Sequence, residues 1–306
     1  MPVVRYGIVI LADQRWNQSA RRWRLAEEYG FHHAWTYDHL GWRDLVDGPW
    51  FDAVPTLTAA AAVTSRIRLG TLVASPNFRH PVSFARQLTA LDDISDGRLV
   101  LGIGAGAGGA SYDALVFGGP TLTDGQRIGR FAEFAELLDL VLRTDRVSWR
   151  GEYYAAADAR NLPGCVQSPR VPFVVAAHHK RSMEVAARFG DGWVTIGAPS
   201  GDLDAWWATV ATGIRRFEDA MAAAGRDPGG VPRYLQLDAA PVFSLSSPGY
   251  FAEAAGRAAE LGFTDVITHW PRPAGPYAGD EAVLEEVAAE AITAKGAPRR
   301  GQSNTI

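Results

Sequence analysis

Short runs of β-branched and aromatic residues alternate along this chain with longer stretches in which apolar side chains recur every three or four positions. The short runs predict strands over residues 5–11, 34–37, 67–74, 99–103, 173–177, 192–196, 234–243 and 265–269. The periodic stretches predict helices over 19–29, 54–64, 83–94, 181–189, 203–223, 248–261 and 280–294; in 83–94, Phe84, Leu88 and Leu91 share one face between Pro81 and the Gly97 stop. Strands separated by helices pair in parallel through right-handed crossovers, and eight of them in 306 residues predict an α/β fold, the (β/α)8 TIM barrel.

The connection after the fourth strand, 105–172, is too long for a simple crossover. It carries a helical pattern over 125–143 and a hairpin-like stretch at 147–154, so it is expected to form an insertion at one rim. The helix's apolar face (Ile128, Phe131, Phe134, Leu138 and Val141) must find cover from the barrel or from a second copy of the chain. Residues 1–295 therefore read as one barrel, and 296–306 as a polar, disordered tail.

Charge narrows the possibilities. Thirty Lys and Arg against 34 Asp and Glu give a net charge of −4, and no run of five like charges offers an arm for nucleic acid or a membrane surface. The single cysteine, Cys165, leaves no internal disulfide and no CxxC metal motif, which fits a reducing compartment. The first apolar run, 6–12, is too short for a signal sequence, and no apolar stretch reaches membrane-spanning length, so a soluble, cytoplasmic protein is expected. Ten Trp, nine Tyr and 13 Phe beside 32 Gly suit a pocket for a flat, partly apolar ligand.

In such a barrel the C-terminal strand ends build the active face. His39, His80, His178, His179 and His269 fall on that rim, whereas His32 and His33 fall at the opposite end. Alternation sets Trp35 and Tyr37 on one face and Thr36 and Asp38 on the other, leaving His39 at the mouth. An imidazole there can exchange a proton near neutral pH with a nearby carboxylate to orient it; equally, Asp38 can cap a turn while His39 packs into the rim. Gly104, Gly106 and Gly109 match GxGxxG after a strand, but no helix opens within the motif and the next strand is far down the chain. The loop therefore either sets backbone N–H groups against a phosphate or ring edge, or is simply flexible. Neither HxH, HExxH nor GxSxG occurs, and no metal site is expected.

Several segments together resemble the luciferase-like monooxygenase superfamily, barrels that use reduced flavin mononucleotide (FMN) or the deazaflavin coenzyme F420. They are Ala26-Glu27-Glu28-Tyr29-Gly30-Phe31 leading to Trp35 and Asp38-His39; Thr64-Ser65-Arg66-Ile67-Arg68-Leu69-Gly70-Thr71; Arg79-His80-Pro81; residues 91–98 leading to Gly102-Ile103-Gly104-Ala105-Gly106; and residues 186–193. The resemblance implies a ring lying across the barrel mouth, seated partly on Thr71, Ala74 and Ser75, with a non-proline cis peptide at Ala74–Ser75. It implies phosphate groups against Gly104, Ala105 and Gly106 and against Ala177, His178 and His179. Asp38 and His39 match the pair that touches the ring and assists proton transfer, and His269 stands as a second proton-transfer residue on the opposite wall.

Two departures accompany the match. His178-His179-Lys180-Arg181 replaces a loop that is usually small and rich in glycine or serine, and Ala107 or Gly108 stands where some deazaflavin dehydrogenases carry a glutamate proton donor. The expected function is hydride transfer through F420, favoured by an Ala-, Arg- and Gly-rich composition like that of high-GC actinobacterial chains. The alternatives are an FMN- and oxygen-dependent monooxygenase supplied by a separate reductase, and a cofactor-binding protein without turnover, which His39 and His269 both facing away from the ring would favour. A small-molecule substrate and a homodimer are expected. Trp42, Trp50, Phe51, Phe78, Phe117 and Trp270 are the candidate pocket walls.

Overall fold

The computed structural model describes residues 4–107 and 111–293. The strands β1 (Arg5–Val9), β2 (His33–Thr36), β3 (Arg68–Ala74) and β4 (Leu99–Ile103) precede a two-stranded excursion, β5 (Arg146–Arg150) and β6 (Ala155–Arg160). The strands β7 (Phe173–Ala176), β8 (Gly192–Thr195), β9 (Arg233–Gln236) and β10 (Asp265–His269) follow. Eight of these close into a parallel barrel in the order β1-β10-β9-β8-β7-β4-β3-β2, while β5 and β6 pair antiparallel outside it. This is the (β/α)8 fold, with no free sheet edge in the barrel.

The helices α1 (Trp16–Glu28), α2 (Ala53–Val63), α3 (Pro81–Ile94), α6 (Lys180–Phe189), α7 (Leu203–Ala223), α8 (Pro248–Glu260) and α9 (Glu281–Val287) cover the barrel. Between β4 and β7 stand the short α4 (Tyr112–Leu115) and the long α5 (Asp124–Arg143), which starts with a Thr123–Gln126 capping box. The apolar face of α5 is covered within the chain, since Phe131, Phe134, Leu138 and Val141 are buried in the layer between barrel and helices. That face gives no argument for a second copy. No described helix is long and apolar enough to cross a membrane. The expected tail at 296–306 lies outside the described residues, as do Gly108 and Gly109 of the glycine motif.

Two layers fill the barrel. At its N-terminal end, Arg5 donates to Asp265 from Nε (2.8 Å) and Nη2 (2.6 Å), and His33 Nε2 lies 3.0 Å from the same carboxylate. The Trp35 indole N–H donates to His33 Nδ1, and because an indole can only donate, the His33 proton is on Nε2 and points at Asp265. His32, His33 and Asp265 bring three ligand-type atoms within 4.8 Å of one another, yet Asp265 is already bonded to Arg5 and His33 Nδ1 to Trp35, so the cluster is a satisfied polar plug. Above it, Val9, Trp35, Leu72, Val100, Val174, Val194 and Ile267 form an apolar cluster inside the barrel. Gly70 makes room for it, because a Cβ there would collide with the Val100 carbonyl and the Trp35 ring.

Three local expectations are corrected. The non-proline cis peptide is Leu72–Val73 rather than Ala74–Ser75, within the stretch where the β3–β4 register shifts between Thr71 and Ala74. Strand β9 stops at Gln236, not residue 243, because the chain turns into a 3-10 helix at Leu237–Ala239. The hairpin's second strand follows Tyr154 rather than ending there.

The buried groups make the fold acid-sensitive. Burial lowers the pKa of His33 and of His269 below the ordinary 6.5. Burial pushes the Asp265 carboxyl up, but hydrogen bonds from His33 and Arg5 outweigh it and bring the group to about 2. The unfolded chain thus takes up protons on these histidines below pH 6.5 while the folded chain does not, whereas Asp265 withdraws its contribution only between its ordinary 3.8 and about 2. Denaturant unfolding is expected to show stability falling as the pH is lowered from 7.5 to 5.5, through the ordinary histidine pKa. A flat or rising profile over that interval contradicts the assignment.

Candidate active site

The C-terminal ends of the strands form a mouth with two unlike walls. In the closed barrel, β3 and β4 stand across from β9 and β10, with β2 beside β3. The β3–β4 wall is small and apolar. A Cβ on Gly104 would stand 2.8 Å from the Val73 side chain, and one on Gly106, at φ 71°, would meet Asn77 at 2.7 Å and Ser75 Oγ at 2.9 Å. Glycine is needed at both positions because Val73, and Asn77 with Ser75, already occupy the space a side chain would take. Of the residues expected there, Ser75 and Ala74 are buried beneath this surface, Ala74 accepting the Gly104 N–H through its carbonyl (2.9 Å). Thr71 instead ties β3 to β4, donating to the Gly102 carbonyl at 2.8 Å.

The facing wall carries protons. Asp238, in the 3-10 turn after β9, accepts from the His269 backbone N–H and lies 2.7 Å from His269 Nδ1, so the imidazole donates from Nδ1 and presents Nε2 as an acceptor. Nε2 is 2.8 Å from the Tyr37 hydroxyl, which accepts from Gln236 Nε2 at 2.7 Å and lies 3.1 Å from the Tyr277 hydroxyl. A carboxylate, an imidazole and two phenols thus form one buried chain. Burial lowers the His269 pKa despite Asp238, and burial raises Tyr37 well above 10, so both are neutral at physiological pH. Tyr277 stacks on His269 with ring centroids 3.5 Å apart and planes at 9°, and on Trp42 at 6.0 Å. Its φ of 62° is a conformation that bulky residues rarely adopt.

His39 sits on the same side of the mouth, but Asp38 does not orient it. Asp38 is buried with both oxygens on Arg79, at 3.1 Å from Nε and 2.6 Å from Nη2, and Arg79 also reaches Asp52 at the start of α2. Burial disfavours the Arg79 charge, but hydrogen bonds and charge from Asp38 and Asp52 raise its pKa above the ordinary value. The pair joins the β2, β3 and α2 connections, a positioning role. The carboxylate on His39 Nδ1 is Asp113, from α4.

A cavity of about 510 Å³ opens beside the mouth, lined by His178, His179, Thr195, Thr209, Thr212 and Arg216 among others. Helix α6 begins at Lys180 directly after the two histidines, whose backbone N–H groups go to Ser182 Oγ; burial lowers the His178 pKa, so Arg216 is the guanidinium that this cavity offers an anion. Ala177 is buried, its carbonyl taking the Trp193 indole N–H at 3.0 Å. Ala105 and Gly106 stay partly open, and Gly106 is held by Arg127, which donates to its carbonyl at 2.7 Å.

Other expected site residues fall away. His80 caps α3, accepting from the Val82 N–H. Trp270 faces outward, stacked on Tyr29 and bonded to Glu281, as alternation from the inward His269 requires. Trp42 and Trp50 do stand at the mouth, stacked at 6.4 Å. Tyr37, Gln236, Asp238, Tyr277 and Asp113 went unassigned; Tyr37 alone carried a local signal, its inward alternation with Trp35.

The profile of the luciferase-like monooxygenase family matches residues 4–241. An uncharacterised protein of Mycobacterium tuberculosis is 31% identical over 304 residues, spanning 94% of this chain and 98% of its own. An F420-dependent glucose-6-phosphate dehydrogenase of Kineococcus radiotolerans is 31% identical over 233 residues, 74% of this chain and 66% of its own. Among solved structures, the coenzyme F420-dependent tetrahydromethanopterin reductase of Methanopyrus kandleri superposes with a TM-score of 0.77 at 18% identity, covering 95% of this chain and 99% of that one, a likeness of fold.

The buried chain carries its own test. Histidine NMR on the cofactor-free protein is expected to show His269 uncharged at pH 7, with its proton on Nδ1 and its titration midpoint below 6.5. An imidazolium at pH 7 contradicts the assigned bonding.

Proposed function

The chain belongs to the luciferase-like monooxygenase family, whose members are oxidoreductases working with flavin-type cofactors, and we propose that it uses the deazaflavin F420 to move a hydride to or from a small organic substrate. The observation that carries the reading is a buried proton-holding set, Asp238, His269 and Tyr37, at the C-terminal mouth, with the cavity edged by His178, His179 and Arg216 beside it. The residues present fit the group. The His178 and His179 side chains and Arg216 line the cavity and offer donors to its phosphate. The bulk that His178 and His179 add to this loop lines the cavity and leaves about 510 Å³ beside it.

When bound, the cofactor supplies the hydride acceptor or donor, and the protein supplies position and protons. Trp42 and Trp50 form an aromatic flank that excludes water from the mouth, and His39 takes or returns the substrate proton. His269 keeps the Tyr37 hydroxyl aimed by accepting its hydrogen bond. The choice of F420 over FMN draws on relatives such as the Kineococcus radiotolerans dehydrogenase.

Titration of the purified protein with F420 and FMN, each oxidised and reduced, tests the cofactor. F420 is expected to bind at least about tenfold more tightly; tighter binding of reduced FMN with oxygen consumption supports the monooxygenase instead. His39→Ala is expected to lower turnover by about 10²–10⁴-fold with a smaller change in cofactor affinity, as for loss of a general acid–base group. Unchanged turnover removes His39 from the reaction.

A further inference from the structure

His39 is held by a different loop from its own. Its Nδ1 pairs with Asp113 Oδ2, and the second oxygen of that carboxylate accepts the backbone N–H groups of Leu40 (2.8 Å) and Gly41 (3.4 Å). Asp113 is buried, and both its oxygens are spent on residues 39–41. It comes from α4, in the insertion after β4. The two loops interlock at Gly41, where a Cβ would stand 2.9 Å from the Tyr112 ring and 2.8 Å from Val46. The His39 carbonyl is occupied as well, taking the Trp50 indole N–H at 2.7 Å. Among the described residues, Nε2 is the one polar atom of the His39 side chain without a hydrogen-bond partner.

We propose that Asp113 is the positioning residue for His39: it fixes the proton of the neutral imidazole on Nδ1, so that Nε2 presents its lone pair to the mouth. An ionised carboxylate only accepts, so the opposite tautomer would set the Nδ1 lone pair against it. The same logic orients the histidine of the Ser-His-Asp triad, where exchanging the carboxylate for an amide leaves the ring in place with its proton on the wrong nitrogen. The insertion therefore completes the proton-transfer group of β2 besides covering the barrel. The inference rests on the reading of His39 as that group.

The test is the tautomer of His39, read by ¹⁵N NMR on the cofactor-free protein and assigned by the signal lost in His39→Gln. The wild-type ring is expected to carry its proton on Nδ1; a proton on Nε2 overturns the proposal without any variant of Asp113. Asp113→Asn is expected to move the proton to Nε2 and to lower turnover by about 10²–10⁴-fold, with little further loss when combined with His39→Gln. Asp113→Glu is expected to restore the Nδ1 tautomer and part of the rate. Asp113→Asn with an unchanged tautomer overturns the positioning role whatever the turnover. His39→Gln at full turnover overturns the reading of His39 itself, and the wild-type tautomer distinguishes that failure from the first.

Discussion

The indole of Trp35 is the pivot of this barrel. Its ring fills the interior opposite the bare backbone of Gly70, and its N–H fixes the tautomer of His33, which in turn points at the carboxylate that Arg5 holds. One side chain thus joins the apolar middle of the barrel to the polar plug beneath it. With the N-terminal end plugged by Arg5, His33 and Asp265, the groups left to react are those at the C-terminal rim. The division between a closed end that stabilises and an open end that reacts follows from that packing.

Much of the fold was legible because its signals are local. The run of β-branched residues ending in His269 gave β10 its observed limits, and the long periodic stretch gave those of α7. The prediction fails where a distant partner overrides local preference. The apolar residues after Gln236 read as more strand, but the chain turns there so that Asp238 can reach His269 and Ser244. The second hairpin strand, Ala155–Arg160, has no alternation to announce it, because it lies on the barrel's outside with little to bury.

The site was legible in its positions and not in its partnerships. Strand alternation put Tyr37 inside and His39 at the mouth, and the eight-strand count put His269 on the same rim. What each group bonds to was set by loops far away in the chain. Asp38 looked like the natural partner of its neighbour His39, yet Arg79 claims it, and the carboxylate on His39 arrives from an insertion whose sequence gave no sign of it. Trp270, expected in a pocket wall, faces outward instead, although alternation from an inward His269 already pointed that way. The mouth therefore holds two separate carboxylate–histidine pairs, Asp113–His39 and Asp238–His269, where the sequence suggested one.

On the proposed function, a flat cofactor lies at the C-terminal mouth with its phosphate in the cavity at the ends of β7 and β8, while the opposite end stays a closed plug. Hydrogen–deuterium exchange with and without F420 tests it most directly. Exchange is expected to slow most at residues 75–77, 104–107, 178–180 and 196–199 and to stay unchanged around His33 and Asp265. Slowing concentrated at the plug, with none at the mouth, would contradict it.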